Sequence, residues 1–221
     1  MLRTLFFSLQ ECQLGARRPK DGPRFEVKTV GVIGAGLMGQ GIAHVTAKAK
    51  IDVVLIDRDL ASAERGKDKV AKTLERRLKK GRTTPDRIEA ILSRIHPSES
   101  SDDLRGCDVI VEAVFEDREL KAKVTTAADA QLGDDAIFAS NTSGLPITGL
   151  AKASSRPANF IGLHFFSPVE RMQMVEIVVG EETSQETLAK AWDYILAIKK
   201  AGIVVNDSPG FYTSRVFGPF I

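Results

Sequence analysis

The stretch GVIGAGLMGQG, residues 31–41, with IDVVLIDRD at residues 51–59 shortly after it, decides the fold. An apolar strand runs straight into Gly34, Gly36 and Gly39, and the pattern switches to a helical period from Leu37. Each glycine has a task in such a strand–turn–helix. Gly34 makes the tight turn, Gly36 lets the backbone approach a pyrophosphate, and Gly39 allows close packing of helix on strand. Ala35, Leu37 and Met38 fill the positions between, and the free N–H groups of the helix start attract an anion.

By itself this glycine pattern is weak, because any tight strand–helix turn can show it. Asp57 strengthens it: the acid ends the second strand at about the distance expected of a residue that accepts the adenosine ribose hydroxyls. A carboxylate there repels a 2′-phosphate, so NAD is the expected cofactor rather than NADP, with Arg58 as the opposing charge beside it.

Outward from this unit, strand and helix patterns alternate. Strands are expected at Lys28–Ile33, Asp52–Ile56, Val109–Val114, Ala136–Ala139, Phe160–Leu163, Val175–Val179 and Ile203–Val205, with a weaker one at Arg94–His96 stopped by Pro97. Helices are expected at Leu37–Lys48, Leu60–Lys80, Pro85–Leu92, Asp117–Gln131 and Gln185–Ala201. The strands are nearly continuous apolar runs, as they are when helices cover both faces of a parallel sheet. The expected fold is therefore α/β, a Rossmann-type doubly wound, mostly parallel sheet.

With 31 Lys and Arg against 29 Asp and Glu, the net charge is +2, so no strong field favours nucleic acid or a membrane surface. No run of the sequence reaches the ~18 apolar residues of a membrane span. Cys12 and Cys107 are far apart and match no metal spacing, so both read as inert thiols and no metal is expected. The opening MLRTLFFSLQ puts Leu2, Leu5, Phe6 and Leu9 on one helical face; Glu11 and the lack of a small-residue cleavage site favour a linker helix over a targeting segment. Residues 15–23, rich in Gly, Pro and charge, read as linker. The domains expected are a linker at 1–24, a dinucleotide-binding domain at 25–207 and, at 208–221, the truncated start of a further helical domain.

Three segments put a polar residue with acid–base or hydrogen-bonding capacity at or near the end of an apolar strand, where open α/β sheets bind ligands. These are SNTSG with Asn141 and Ser143, GLHFFSP with His164, and MVEIVV with Glu176. A histidine made more basic by a carboxylate suits removal of an alcohol proton during hydride transfer near pH 7. From spacing alone, His164 could equally be a satisfied core histidine and Glu176 a surface acid.

The segments GVIGAGLMGQGIA, VEAVFEDRELK, FASNTSGLPIT, GLHFFSPVERMQMVEIV and VVNDSPGFYTSR resemble, in order and spacing, the L-3-hydroxyacyl-CoA dehydrogenase family. FFSPV, GFYTSR and the opening FFSLQECQLGARRP are more similar to its multifunctional β-oxidation branch, such as the trifunctional α subunit, than to stand-alone members. The resemblance implies that His164 is the catalytic base and Glu176 the acid that orients it. It implies that Ser143 helps hold the substrate oxygen, that Glu116 and Lys121 line the nicotinamide side of the NAD site, and that Asn141 belongs to the same motif. Stand-alone members carry Asn at Ser167 and Ser214, so these two serines read as branch markers, with Ser214 facing the thioester carbonyl.

The expected reaction is NAD-dependent oxidation of an L-3-hydroxyacyl-CoA to a 3-ketoacyl-CoA. The basic face holding Arg76, Arg77, Lys79 and Lys80 suits the phosphates of CoA, Arg77 and Lys80 above all, although such charge runs are usually solvated surface. A dinucleotide module that is inactive without its C-terminal domain is the alternative. A lysine-dependent hydroxyacid or sugar-acid dehydrogenase shares the glycines but lacks a place for His164 and Glu176. Expected partners are the acyl-CoA substrate, covalently linked hydratase and C-terminal dehydrogenase domains, and a second copy in the full-length protein, in a bacterial cytoplasm or else a mitochondrial matrix or peroxisome.

Overall fold

The structure, a computed structural model, describes residues 10–20 and 24–218. Leu2, Leu5, Phe6 and Leu9, expected to form an apolar helical face, lie outside the described residues. The core is an eight-stranded sheet in the order β3-β2-β1-β4-β5-β6-β7-β8. Its strands are β1 Thr29–Ile33, β2 Asp52–Ile56, β3 Ile95–Ser98, β4 Val109–Glu112, β5 Ile137–Ser140, β6 Phe160–Phe165, β7 Met174–Val179 and β8 Ala201–Asn206.

All neighbouring strands are parallel except β6 and β7. The sequence pattern did not reveal this reversal, and its cause is local. Residues 166–173 join the two strands without a helix, whereas a parallel crossover needs a dozen or more residues. The chain therefore folds back, and His164 comes to pair with Glu176 across the ladder.

Helices cover both faces, as the unbroken apolar strands require. They are α1 Leu37–Lys48, α2 Leu60–Leu78, α3 Pro85–Leu92, α4 Arg118–Asp129, α5 Ile147–Ala151, α6 Gln185–Ala197 and α7 Thr213–Phe217. One apolar layer joins α1, α2 and α6 to the sheet through Ile42, Val70, Leu74, Trp192 and Ile195. The opposite layer holds Leu104, Ile147 and Phe211, with Phe138 stacked on Phe160 at 5.1 Å. Thr46 and Tyr194 share a buried 2.7 Å hydrogen bond that ties α1 to α6.

Asp59, Thr84, Asp117 and Ser184 cap α2, α3, α4 and α6 by accepting from backbone N–H groups in the first turn. Helix α6 stops at Ala197, earlier than its apolar stripe suggests, because Lys199 takes a positive φ of 58° and β8 begins at Ala201. Pro97 lies within β3 instead of ending it. That strand is the sheet edge, where a missing N–H costs no ladder bond.

Arg18, in the segment that reads as linker, is anchored to the domain. Arg18 donates from Nε and Nη2 to the two carboxylate oxygens of Asp193 on α6, both at 2.7 Å, and Phe25 N donates to the same carboxylate. Cys107 is buried, and its thiol is pushed up to about 12 by burial and then by Asp108, in keeping with an inert role. No helix of the described residues is long and apolar enough to cross a membrane, and no metal-ligand cluster occurs among them.

Candidate active site

The turn after β1 is built for a phosphate. Gly34 has φ +98°, and a Cβ there would meet Ala113 O at 2.7 Å, while a Cβ on Gly39 would lie 1.6 Å from Gly34 O. Above Gly36 the space is open, with nothing within 4 Å of a Cβ. No side chain caps α1, so its first N–H groups remain available to an anion. Leu37 is exposed at the mouth and Met38 is half-buried against the core. Asp57 accepts from Ala35 N at 2.7 Å, which sets the acid beside the glycine turn where a ribose would lie. The residues present fit a dinucleotide.

Farther along the same strand ends, a buried charge network fixes the next loops. Lys121 on α4 donates to both oxygens of Glu112, at 2.8 and 3.0 Å, and lies 3.3 Å from Glu116. Both Lys121 and Glu112 are almost fully buried, and Ser140 Oγ donates to Glu112 at 2.7 Å. Glu116 accepts from Thr142 Oγ1 at 2.5 Å and from Ser143 N at 2.8 Å. Burial acts to raise the Glu116 pKa, but Thr142, Lys121 and the Ser143 N–H outweigh it and hold the carboxyl below its ordinary value. Lys121 is thus 2% exposed and lies beneath the surface, bound to Glu112 and Glu116.

Glu112 is the participant the sequence reading missed. Its signal is a carboxylate within the apolar run of β4, because a buried carboxylate demands partners.

His164 ends this row. Its Nδ1 lies 2.7 Å from Glu176 Oε2, and Glu176 is fully buried. Burial acts to raise the pKa of Glu176, but the hydrogen bonds from His164 and from the Thr213 N–H outweigh it and hold the carboxyl below the ordinary value. With Nδ1 donating to the carboxylate, Nε2 of the neutral ring is the free acceptor. The imidazole packs against Phe166 and Phe211, with ring centroids at 4.5 and 5.8 Å. Asn141 accepts from Phe165 N at 2.9 Å and so joins the SNTSG loop to the histidine strand.

Ser143 is exposed on that loop, and Ser214 is exposed on α7 one residue beyond Thr213, whose N–H donates to Glu176. Ser167 is exposed in the loop after β6. Within that loop the buried Lys200 ammonium donates to Val169 O and Met172 O, at 2.7 and 2.6 Å.

A cleft of about 590 Å³ opens between α1, α2 and residues 168–170. Lys69, Lys72 and Arg76 line it, whereas Arg77 and Lys80 do not. Arg77 is half-buried and close enough to influence His44, a buried residue on the cleft wall. Burial chiefly pushes the His44 pKa down to about 4, so this ring is neutral at pH 7.

The family described as the 3-hydroxyacyl-CoA dehydrogenase NAD binding domain matches residues 29–208. A curated relative, the fatty acid oxidation complex subunit alpha of Idiomarina loihiensis, is 41% identical over 196 residues; the match takes in 89% of this chain and 27% of that protein. The crystal structure of (S)-3-hydroxybutyryl-CoA dehydrogenase from Ralstonia eutropha is 40% identical with a TM-score of 0.86, over 88% of this chain and 69% of that one. The dehydrogenase part of multifunctional enzyme 1 from C. elegans is 28% identical with a TM-score of 0.81, over 96% of this chain and 50% of that one. With the glycine turn, Asp57 and the strand order already in agreement, this chain belongs to the family of 3-hydroxyacyl-CoA dehydrogenase NAD-binding domains, and NAD is its cofactor.

Proposed function

We propose that this chain carries the NAD-binding and proton-transfer half of an enzyme that oxidises L-3-hydroxyacyl-CoA to 3-ketoacyl-CoA in fatty-acid β-oxidation. The observation that carries the reading is the 2.7 Å contact between His164 Nδ1 and Glu176 Oε2, in the same row of strand ends as the glycine turn.

His164 takes the 3-hydroxyl proton at Nε2, and Glu176 stabilises the imidazolium that forms. Gly34, Gly36, Gly39 and Asp57 would hold NAD, which when bound would accept the hydride from C3. Ser143, its backbone fixed by Glu116, donates to the substrate oxygen, and Asn141 keeps that loop in step with β6. Ser214 faces the thioester carbonyl. Lys69, Lys72 and Arg76, which line the cleft, meet the CoA phosphates, and Arg77 and Lys80, outside it, add positive charge at the same end of α2.

The full-length protein, in this reading, fuses a hydratase domain and a helical dehydrogenase domain to a dinucleotide domain at 25–207, with residues 208–221 entering the helical part. It works in a bacterial cytoplasm and pairs with a second copy. The 27% share of the fatty acid oxidation relative supports this arrangement.

A second reading, that the chain binds the dinucleotide but does not turn substrate over by itself, is favoured by the exposure of two large aromatic side chains, Tyr212 (58%) just before α7 and Phe217 (66%) at its end. NADH absorbance followed with acetoacetyl-CoA, beside an NADH-binding titration, separates the two. Binding with turnover supports the first reading and binding alone the second, while absence of binding contradicts both.

A further inference from the structure

We propose that Phe211 is a positioning residue for the His164–Glu176 pair: its backbone turns two N–H groups onto Glu176 while its ring packs against the imidazole. The proposal rests on reading that pair as the proton-transfer site.

A fully buried carboxylate inside a sheet is costly unless both oxygens find donors. Oε2 is met by His164. Oε1 accepts from Tyr212 N at 3.2 Å and Thr213 N at 2.8 Å, both from the turn that follows β8. Those N–H groups point back at β7 because two consecutive residues take positive φ, Gly210 at 76° and Phe211 at 49°. Glycine adopts that conformation freely, whereas a side chain in it brings Cβ against the backbone. A bulky residue held there beside reacting groups needs surroundings that enforce it.

Those surroundings are present on three sides. The Phe211 ring is 2% exposed, in the layer that includes Ile147 and Val178. Its N–H donates to Ser208 O at 2.7 Å, closing the turn. Just before the turn, Asp207 accepts from Ile147 N, Thr148 N and Thr148 Oγ1 at 2.6–2.8 Å, which bolts this end of the chain to α5. The turn also lies against the SNTSG loop, where a Cβ on Gly144 would sit 3.7 Å from Gly210 N. One short segment therefore touches the acid, the base and the loop that bears Ser143.

The test is the low-field imidazole Nδ1 proton resonance of His164, recorded on the whole chain with NADH affinity as the control for folding. Glu176→Gln identifies the resonance by abolishing it. Phe211→Ala is expected to broaden or abolish it with NADH affinity within about twofold. A Cβ at Gly210 meets nothing closer than 3.6 Å, so substitutions there act through backbone conformation alone. Gly210→Val should mimic Phe211→Ala, and Gly210→Asn, which tolerates positive φ, should keep the wild-type resonance.

In the active enzyme, Phe211→Ala should lower kcat about tenfold with little change in KM, a loss equal to about 1.4 kcal/mol of barrier. A wild-type resonance in both Phe211→Ala and Gly210→Val would overturn the role of the turn and leave the pair standing. A resonance indifferent to Glu176→Gln would instead sink the pair.

Discussion

His164 and Glu176 face each other across the antiparallel β6–β7 ladder, and Glu176 Oε2 lies 2.7 Å from His164 Nδ1. Directly opposed residues of such a ladder share one face of the sheet, and a slip of one residue would put the two side chains on opposite faces. The reversal of the chain at residues 166–173 is therefore what makes the pair. Glu176→Gln keeps the shape and removes the charge that favours the imidazolium. Turnover should fall about 100-fold, within the range general base catalysis commands, with NADH affinity nearly unchanged. A steady-state assay beside a binding titration checks this, and full activity in the variant would exclude a role for the carboxylate.

Asp193 links stability to pH. Burial acts to raise its pKa, but the Arg18 fork and the Phe25 N–H outweigh it and hold the carboxyl below its ordinary value. A folded-state value below the unfolded one, which is about 3.9, adds stability that is present above that pH and lost as pH falls through the folded value. Asp193→Asn should cost about 3 kcal/mol at pH 7, because the charge of the carboxylate that meets both Nε and Nη2 of Arg18 and the Phe25 N–H is lost. The gap to wild type should close below about pH 4. Urea unfolding at several pH values measures it, and a gap that stays constant would contradict the assignment.

Glu112→Gln tests the network under the SNTSG loop. The change leaves Lys121 buried beside Glu116 alone and weakens the hold on Ser140. Thermal unfolding should report a loss of about 3 kcal/mol, and NADH should bind more weakly because Lys121 and Ser140 lose the carboxylate that ties α4 and the end of β5 together. Unchanged stability would mean that the ion pair is dispensable.

The parts legible in the sequence were those governed by local pattern. The glycines of residues 34–39 and the acid at Asp57 announce their geometry because backbone conformation demands those residue types, and the long apolar strands announce helices on both faces. Two features were hidden because they depend on distant pairing. The direction of β7 follows from the brevity of one loop, and Glu112 acquires a meaning only when Lys121 and Ser140 are brought to it. Arg77 and Lys80 were chosen from a charge run, whereas the cleft selects Lys69, Lys72 and Arg76 because those project from α2 toward α1. Phe211 carries no signal in the pattern at all, since its importance is a backbone angle.

The most direct test of the central claim is turnover of acetoacetyl-CoA by the full-length enzyme carrying His164→Gln, measured with NADH affinity on the same preparation. Loss of at least about 100-fold in kcat, with NADH affinity within about twofold of wild type, is the predicted result. Retained turnover in that variant would contradict the assignment of His164 as the base.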